Sequence, residues 1–227
     1  MRLILLTLTA ALAGPPAPPL PPVDLDGDGK PETLQQQGEA LKIGAASVDC
    51  GMGFGCKVRV VDVREGDGFK EVEVCNPGPR DDYDCYLYAY RKGSVTALGV
   101  DGSEVAGSGW TITGNGIPLK QSDQRIYTRL SKYVLSKDGL SLTAVPQPFY
   151  YVGYKVRVDR TFPITMQPGG GAVVANVKPG SDITILLESA EHDSQMLVHL
   201  SSGLTGWVDL WKLVEASDSL MPIFAAG

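Results

Sequence analysis

The sequence predicts an all-β protein with an N-terminal β domain and a small C-terminal barrel. Apolar and polar residues alternate with period two in runs such as 58–60 and 72–74, which is typical of half-buried strands. The 227 residues include 27 glycines and 16 prolines, so turns are frequent. Only Glu32 to Lys42 could be helical, and this segment carries no apolar stripe. We expect a β-meander, sandwich or partial propeller over 23–160 and the barrel over 161–217.

Composition sets limits on the class of protein. The chain has 43% hydrophobic residues, which is ordinary for a folded core and excludes a wholly disordered chain. Twenty basic and 26 acidic residues give a formal net charge of −6. Non-specific binding to nucleic acid needs clustered Lys and Arg, so no nucleic-acid partner is expected.

The amino terminus has the pattern of an export signal. Arg2 precedes an apolar run over 3–12, and residues 11–13 form a small-x-small cleavage site. The alternative, a permanent membrane anchor, is disfavoured because a spanning helix needs about 20 apolar residues. We expect residues 1–13 to be a signal peptide, with no stable membrane span and a periplasmic or extracellular location.

A proline-rich segment, residues 14–22, follows the signal. Such a run cannot form helix or sheet ladders and favours a polyproline II linker. A ligand for a proline-binding domain is the alternative that this pattern leaves open.

Residues 24–32, with the sequence DLDGDGKPE, have the composition of a calcium-binding loop. Alternating aspartates converge when glycines between them allow the backbone to wrap tightly. Calcium prefers six to eight hard oxygen ligands, which this loop supplies through carboxylates and a backbone carbonyl. The expected ligands are Asp24, Asp26, Asp28, the carbonyl of Lys30 and Glu32. The alternative is a solvated acidic turn.

This loop resembles the calcium loops of FG-GAP and VCBS-type repeats, in which the loop joins two β-strands. It is not the helix–loop–helix type, because its twelfth position is Gln35 rather than Glu. A degenerate copy over 65–71 has Val63 at its first ligand position, so we expect a turn there, with a second ion left open. Asp67 follows Asp28 by 39 residues, close to a propeller blade period. Room for roughly three blades is too little for a closed ring.

Four cysteines in an exported chain predict two disulfides. Three pairings are possible, and we favour Cys50 with Cys56 and Cys75 with Cys85, because each pair closes a turn-rich loop between strand-like runs. A zinc site is the rival interpretation, but neither spacing matches the usual zinc knuckle.

A tyrosine row marks one face of the strand predicted around residues 86–90. Tyr86, Tyr88 and Tyr90 share a face because side chains alternate along a strand. The row could stack against a sugar or peptide, or it could be cross-strand packing.

Short strands at regular spacing follow residue 161, and they resemble bacterial Src-homology-3-like domains. The resemblance rests on the turn 178–180 (Lys-Pro-Gly) and the strand 206–208 (Gly-Trp-Val). It implies a small barrel that binds cell-wall peptides or acts as a spacer beside hydrolases. Trp207 and Trp211 would line a groove or cover the open barrel end, and residues 218–227 would form a tail.

The sequence offers no catalytic constellation. The two histidines, His192 and His199, do not lie in a motif with a nucleophile. We therefore expect a non-catalytic, exported, calcium-binding protein whose partner is a cell-wall peptide, a glycan or an envelope protein. The alternative is a cell-wall or glycan hydrolase, or an accessory to one.

Overall fold

The computed structural model describes residues 20–50, 55–77, 83–99 and 107–225. These residues form seventeen strands and two short helices, which confirms the predicted all-β class. The expected signal peptide and most of the proline-rich segment lie outside the described residues. Within the described ranges, no helix is both long and apolar enough to cross a membrane.

The first sheet is a three-stranded antiparallel meander. Its strands are β1 (Leu34–Gln37), β2 (Ala40–Ile43) and β3 (Ala46–Asp49). The segment 32–42, the only one that could be helical by sequence, thus forms a strand, a turn and most of a second strand. The reason is that Leu41 and Ile43, two positions apart in β2, both face the core, whereas a helix would place them on opposite sides.

Two four-stranded antiparallel sheets follow. The second sheet runs in chain order through β4 (Lys57–Val61), β5 (Glu71–Pro77), β6 (Tyr83–Arg91) and β7 (Ser94–Ala97). The third sheet has the order β11-β10-β9-β8, from β8 (Gly109–Thr111), β9 (Leu119–Asp123), β10 (Thr128–Leu135) and β11 (Leu142–Ala144).

The second sheet is covered on both faces. Val72, Val74, Tyr88 and Tyr90 pack with Leu34, Leu41 and Ile43 of the first sheet. On the opposite face, Leu87 and Ala89 pack with Trp110, Tyr133 and Leu135 of the third sheet. The first three sheets therefore form a layered stack, and none of them closes on itself.

The C-terminal sheet has six strands: β12 (Phe149–Arg157), β13 (Phe162–Gln167), β14 (Gly170–Val177), β15 (Asp182–Ser189), β16 (Gln195–Leu200) and β17 (Thr205–Asp209). Their order in the sheet is β12-β15-β16-β17-β13-β14. The sheet is open, so the expected closed barrel is not found. It also extends beyond the expected boundary at residue 161, because β12 pairs with β15 and buries Val152 and Val156 in the same core.

Two short helices cover one end of this core. Helix α1 (Leu210–Glu215) starts at Asp209, whose carboxylate accepts hydrogen bonds from the backbone N–H groups of the first turn. Leu213 of α1 is fully buried against the sheet. Helix α2 (Met221–Ala225) lies in the segment expected as a tail, and its Phe224 packs on Trp211 of α1.

Candidate metal site and binding surfaces

The acidic loop is closed at its base by a short antiparallel bridge. Val23 and Glu32 exchange backbone hydrogen bonds of 3.0 and 2.8 Å. Between them, Gly27 and Gly29 have φ values of +73° and +83°, a left-handed conformation that other residues rarely adopt. These two glycines allow nine residues to wrap back on themselves.

The wrapped backbone draws three aspartates together. Asp24 accepts the N–H groups of Gly27 at 2.8 Å and Gly29 at 2.9 Å, one on each carboxylate oxygen. Asp28 accepts the N–H of Lys30 at 2.8 Å. One oxygen of each of Asp24, Asp26 and Asp28 lies within 4.8 Å of the others. These three of the five expected ligands therefore converge.

The other two expected ligands have different contacts. Glu32 accepts the N–H of Leu25 at 2.9 Å, so its carboxylate buttresses the loop from its base. The ammonium group of Lys30 lies 3.5 Å from Asp28 and offsets part of the repulsion among the aspartates. The cluster of aspartates thus has one positive charge within the loop, the ammonium group of Lys30. The Lys30 side chain is 85% exposed, so it can move away from Asp28.

The loop is fastened to the second sheet. Leu25 is fully buried, and its carbonyl accepts the N–H of Lys70 at 3.0 Å. Asp26 accepts the N–H of Lys92, in the β6–β7 turn, at 2.9 Å. A cation held by the aspartates would therefore reinforce the junction between the first two sheets.

The degenerate copy of the loop is a turn that packs on the first. Asp67 accepts the N–H of Phe69 at 2.8 Å, the same contact that Asp28 makes. Glu71 accepts the N–H of Val63 at 3.1 Å and pairs with Arg91 at 3.2 Å. Burial raises the pKa of the Glu71 carboxyl, although both of these contacts lower it. Glu71 therefore has a structural role in the core.

The cysteines pair as favoured. Cys50 joins Cys56, and Cys75 joins Cys85. Cys75 and Cys85 are directly opposite in the β5–β6 register, which brings their side chains together on one face. The Glu73 carboxylate lies within 4.8 Å of these two sulfurs, but it bonds Arg59 and the N–H of Trp110. The Cys50–Cys56 loop includes residues outside the described ranges.

The tyrosine row is mainly packing between sheets. Tyr88 and Tyr90 are each only 6% exposed and lie in the core shared with the first sheet. Tyr86 is partly buried and lies with Tyr88 along a shallow cavity of about 390 Å³ beside β3 and β7. Sheet stacking therefore accounts for Tyr88 and Tyr90.

The two tryptophans expected to share a groove have different partners. Trp207 lies on the outer face of the C-terminal sheet, and the centroid of its ring is 6.0 Å from that of Phe149. Trp211 is 53% exposed and packs edge-on against Phe224 at 5.6 Å. Trp211 thus holds α2, whereas Trp207 belongs to the surface of the sheet.

Trp207 is part of an apolar row that crosses the outer face of the C-terminal sheet. Cross-strand pairing places side by side Tyr151, Leu187, Leu197, Trp207 and Thr165. The sequence alone does not reveal this row, because the alternation in 149–157 indicates a strand but not which strands lie beside it. Register between distant strands was the missing information.

Comparison of the chain with protein-family models, with curated proteins and with solved structures finds no match. The likeness to FG-GAP loops and to Src-homology-3-like domains therefore rests on the short motifs alone.

Proposed function

We propose that this protein is an exported, non-catalytic, calcium-binding β protein that binds a component of the cell envelope. The observation that carries the proposal is the convergence of Asp24, Asp26 and Asp28 in a loop fastened to the second sheet. Two disulfides are compatible with an oxidising compartment outside the cytoplasm.

Calcium is the cation that this donor set suits best. All three side chains offer hard carboxylate oxygens, and their loop is partly exposed, so water can complete the shell. Magnesium requires a tight octahedral shell and gives up its bound waters reluctantly. A partly exposed loop does not impose that geometry, so it favours calcium. The backbone carbonyl of Lys30 and solvent would supply the remaining ligands.

The role of the ion would be structural. Bound calcium would offset most of the charge of three neighbouring carboxylates that otherwise repel one another. Because Asp26 also holds the β6–β7 turn, the ion would tie the first sheet to the second. A structural ion of this kind suits a binding protein with a rigid scaffold that works outside the cell, where calcium is plentiful.

Two matched variants test the calcium assignment. Asp28→Asn removes one charge from the cluster and keeps an oxygen that can accept the Lys30 N–H. Asp67→Asn makes the same change in the degenerate loop, where an equivalent contact exists without the cluster. Calcium at tenfold excess over Kd stabilises the native state by about 1.4 kcal/mol. We expect the melting temperature of wild type to rise by about 3–6 °C.

We expect Asp67→Asn to keep the calcium-dependent rise and Asp28→Asn to lose most of it. Equal melting of the wild type in calcium and in chelator would refute the calcium assignment. Binding to the envelope is tested separately, by sedimentation of the whole protein with purified peptidoglycan and with envelope fragments. Recovery of the protein in the supernatant in every case would refute that half of the proposal.

A further inference from the structure

The outer face of the C-terminal sheet combines exposed aromatic rings with an adjoining polar cavity. We propose that this face binds an anionic glycan, with sugar rings along the apolar row and acidic groups in the cavity. The inference rests on the proposed function, since it specifies the envelope component, and it uses residues distant in sequence from the calcium loop.

Tyr151 has the geometry of a stacking platform. Its side chain is 74% exposed, although the ring lies over the backbone of Gly153 in the same strand. A Cβ on Gly153 would lie 2.5 Å from the Tyr151 hydroxyl, so the ring can lie flat because residue 153 is glycine. The hydroxyl end of the ring thus lies against the strand, and most of the residue is open to solvent. An open aromatic face attracts the weakly positive C–H groups of a sugar ring.

The platform continues along the apolar row. Leu187 and Leu197 lie between Tyr151 and Trp207, and Phe149 covers part of Trp207. Phe149 is itself 45% exposed. Three aromatic residues therefore line one face of the sheet, separated by low aliphatic side chains, which favours an elongated flat ligand over a single small molecule.

The cavity beside the row carries the charge. It has a volume of about 570 Å³ and is lined on this face by Lys155, Arg157, Asp182, Thr184, His199 and Ser201. Cross-strand pairing sets Lys155 beside Thr184 and Thr184 beside His199, one row away from Tyr151. The side chains offer hydroxyl and N–H groups, which suit the hydroxyls and acidic groups of a sugar.

The balance of charge in the cavity is positive. Asp182 is paired with Arg157 at 3.2 Å. Lys155 makes no ion pair anywhere in the described part of the chain. An unpaired ammonium group beside an aromatic platform is complementary to a carboxylate or phosphate group on a ring-containing polymer. A nucleic acid has the same elements, but its binding needs clustered Lys and Arg, and the described residues that line this cavity offer one unpaired side-chain cation.

Binding of the full protein to three polymers tests the inference, measured by calorimetry at low salt without added calcium. The polymers are polygalacturonate, the neutral glucan pullulan and a twenty-nucleotide oligo(dT). We expect polygalacturonate to bind most tightly and its affinity to fall as salt is added. Tyr151→Ala should weaken binding about fivefold to tenfold. Lys155→Gln should weaken it about threefold to tenfold.

Two control variants make equivalent changes elsewhere on the surface. Val134→Ala removes an exposed apolar side chain from β10, and Lys42→Gln removes an exposed charge from β2. Both should bind polygalacturonate as wild type does. Tyr151 is mostly exposed, so its replacement should leave the melting temperature nearly unchanged.

Three binding results would each overturn the inference: no binding of polygalacturonate, unchanged binding in Tyr151→Ala and Lys155→Gln, or oligo(dT) bound as tightly as the polyuronate. Dimerisation that Tyr151→Ala abolishes would also overturn it, since this face would then be a contact between copies. Sedimentation with envelope fragments but no binding of polygalacturonate would leave the proposed function standing and remove only the glycan assignment.

Discussion

Gly27→Ala and Gly29→Ala form a matched pair that measures the contact between the acidic loop and the second sheet. Both glycines have left-handed backbone angles, so each alanine carries a conformational cost of about 1–2 kcal/mol. A Cβ on Gly27 would lie 2.7 Å from the carbonyl oxygen of Gly68, whereas a Cβ on Gly29 has no atom within 4 Å. Because the obstructing atom belongs to the backbone and cannot rotate away, the acidic loop and the 65–71 turn must move apart.

Separating the loops adds about 1–3 kcal/mol, the usual cost of forcing atoms into a filled space. We expect Gly29→Ala to lose about 1–2 kcal/mol and Gly27→Ala about 2–5 kcal/mol of unfolding free energy. Urea unfolding in chelator measures both without a contribution from calcium. In a thermal melt the difference corresponds to about 2–4 °C per kcal/mol. Equal losses in the two variants would refute the packing of the loops against each other.

Three further predictions concern the core. Replacing both Cys75 and Cys85 by alanine should cost about 3 kcal/mol in urea unfolding, from the entropy of a loop closed across 10 residues; an unchanged midpoint would count against the bridge. Burial raises the pKa of Glu71 above its usual 4.5, so the native state holds this proton more tightly than the unfolded chain. The stability of wild type relative to Glu71→Gln should therefore be greatest below pH 4.5 and decline as pH rises through the raised pKa; a difference that grows with pH would reverse the sign. Glu188→Gln should cost about 1–3 kcal/mol, because the buried carboxylate joins β15 to Arg129 of β10 and to the preceding Tyr127; a neutral result would show that this contact adds no stability.

The strands were predictable because their pattern is local. Alternation around 58–60 and 72–74 requires only that one face of a strand be less polar than the other, and both segments are strands. The cysteine pairing was predictable for a similar reason, since each pair closes a loop between strands that are consecutive in the chain. Glycine at alternate positions of the acidic loop indicated a tight wrap, and the structure brings its three aspartates together.

The arrangement of the sheets was not predictable from the same patterns. A tyrosine row has one sequence signature whether it faces solvent or another sheet, and here the first sheet covers Tyr88 and Tyr90. Membership of β12 in the C-terminal sheet depends on pairing with β15, more than twenty residues later in the chain. Residues 32–42, the one segment that could be helical, form strands, because burial of a few apolar side chains outweighs weak local propensity.

Direct titration of the protein with calcium tests the central claim most closely. Calorimetry on chelator-treated wild type should give one saturable site with Kd of about 0.1–1 mM, the range of extracellular calcium modules. The Asp28→Asn variant should show no saturable heat, and Asp67→Asn should titrate as wild type does. Absence of saturable heat in the wild type, or equal binding by Asp28→Asn, would contradict the assignment of calcium to Asp24, Asp26 and Asp28.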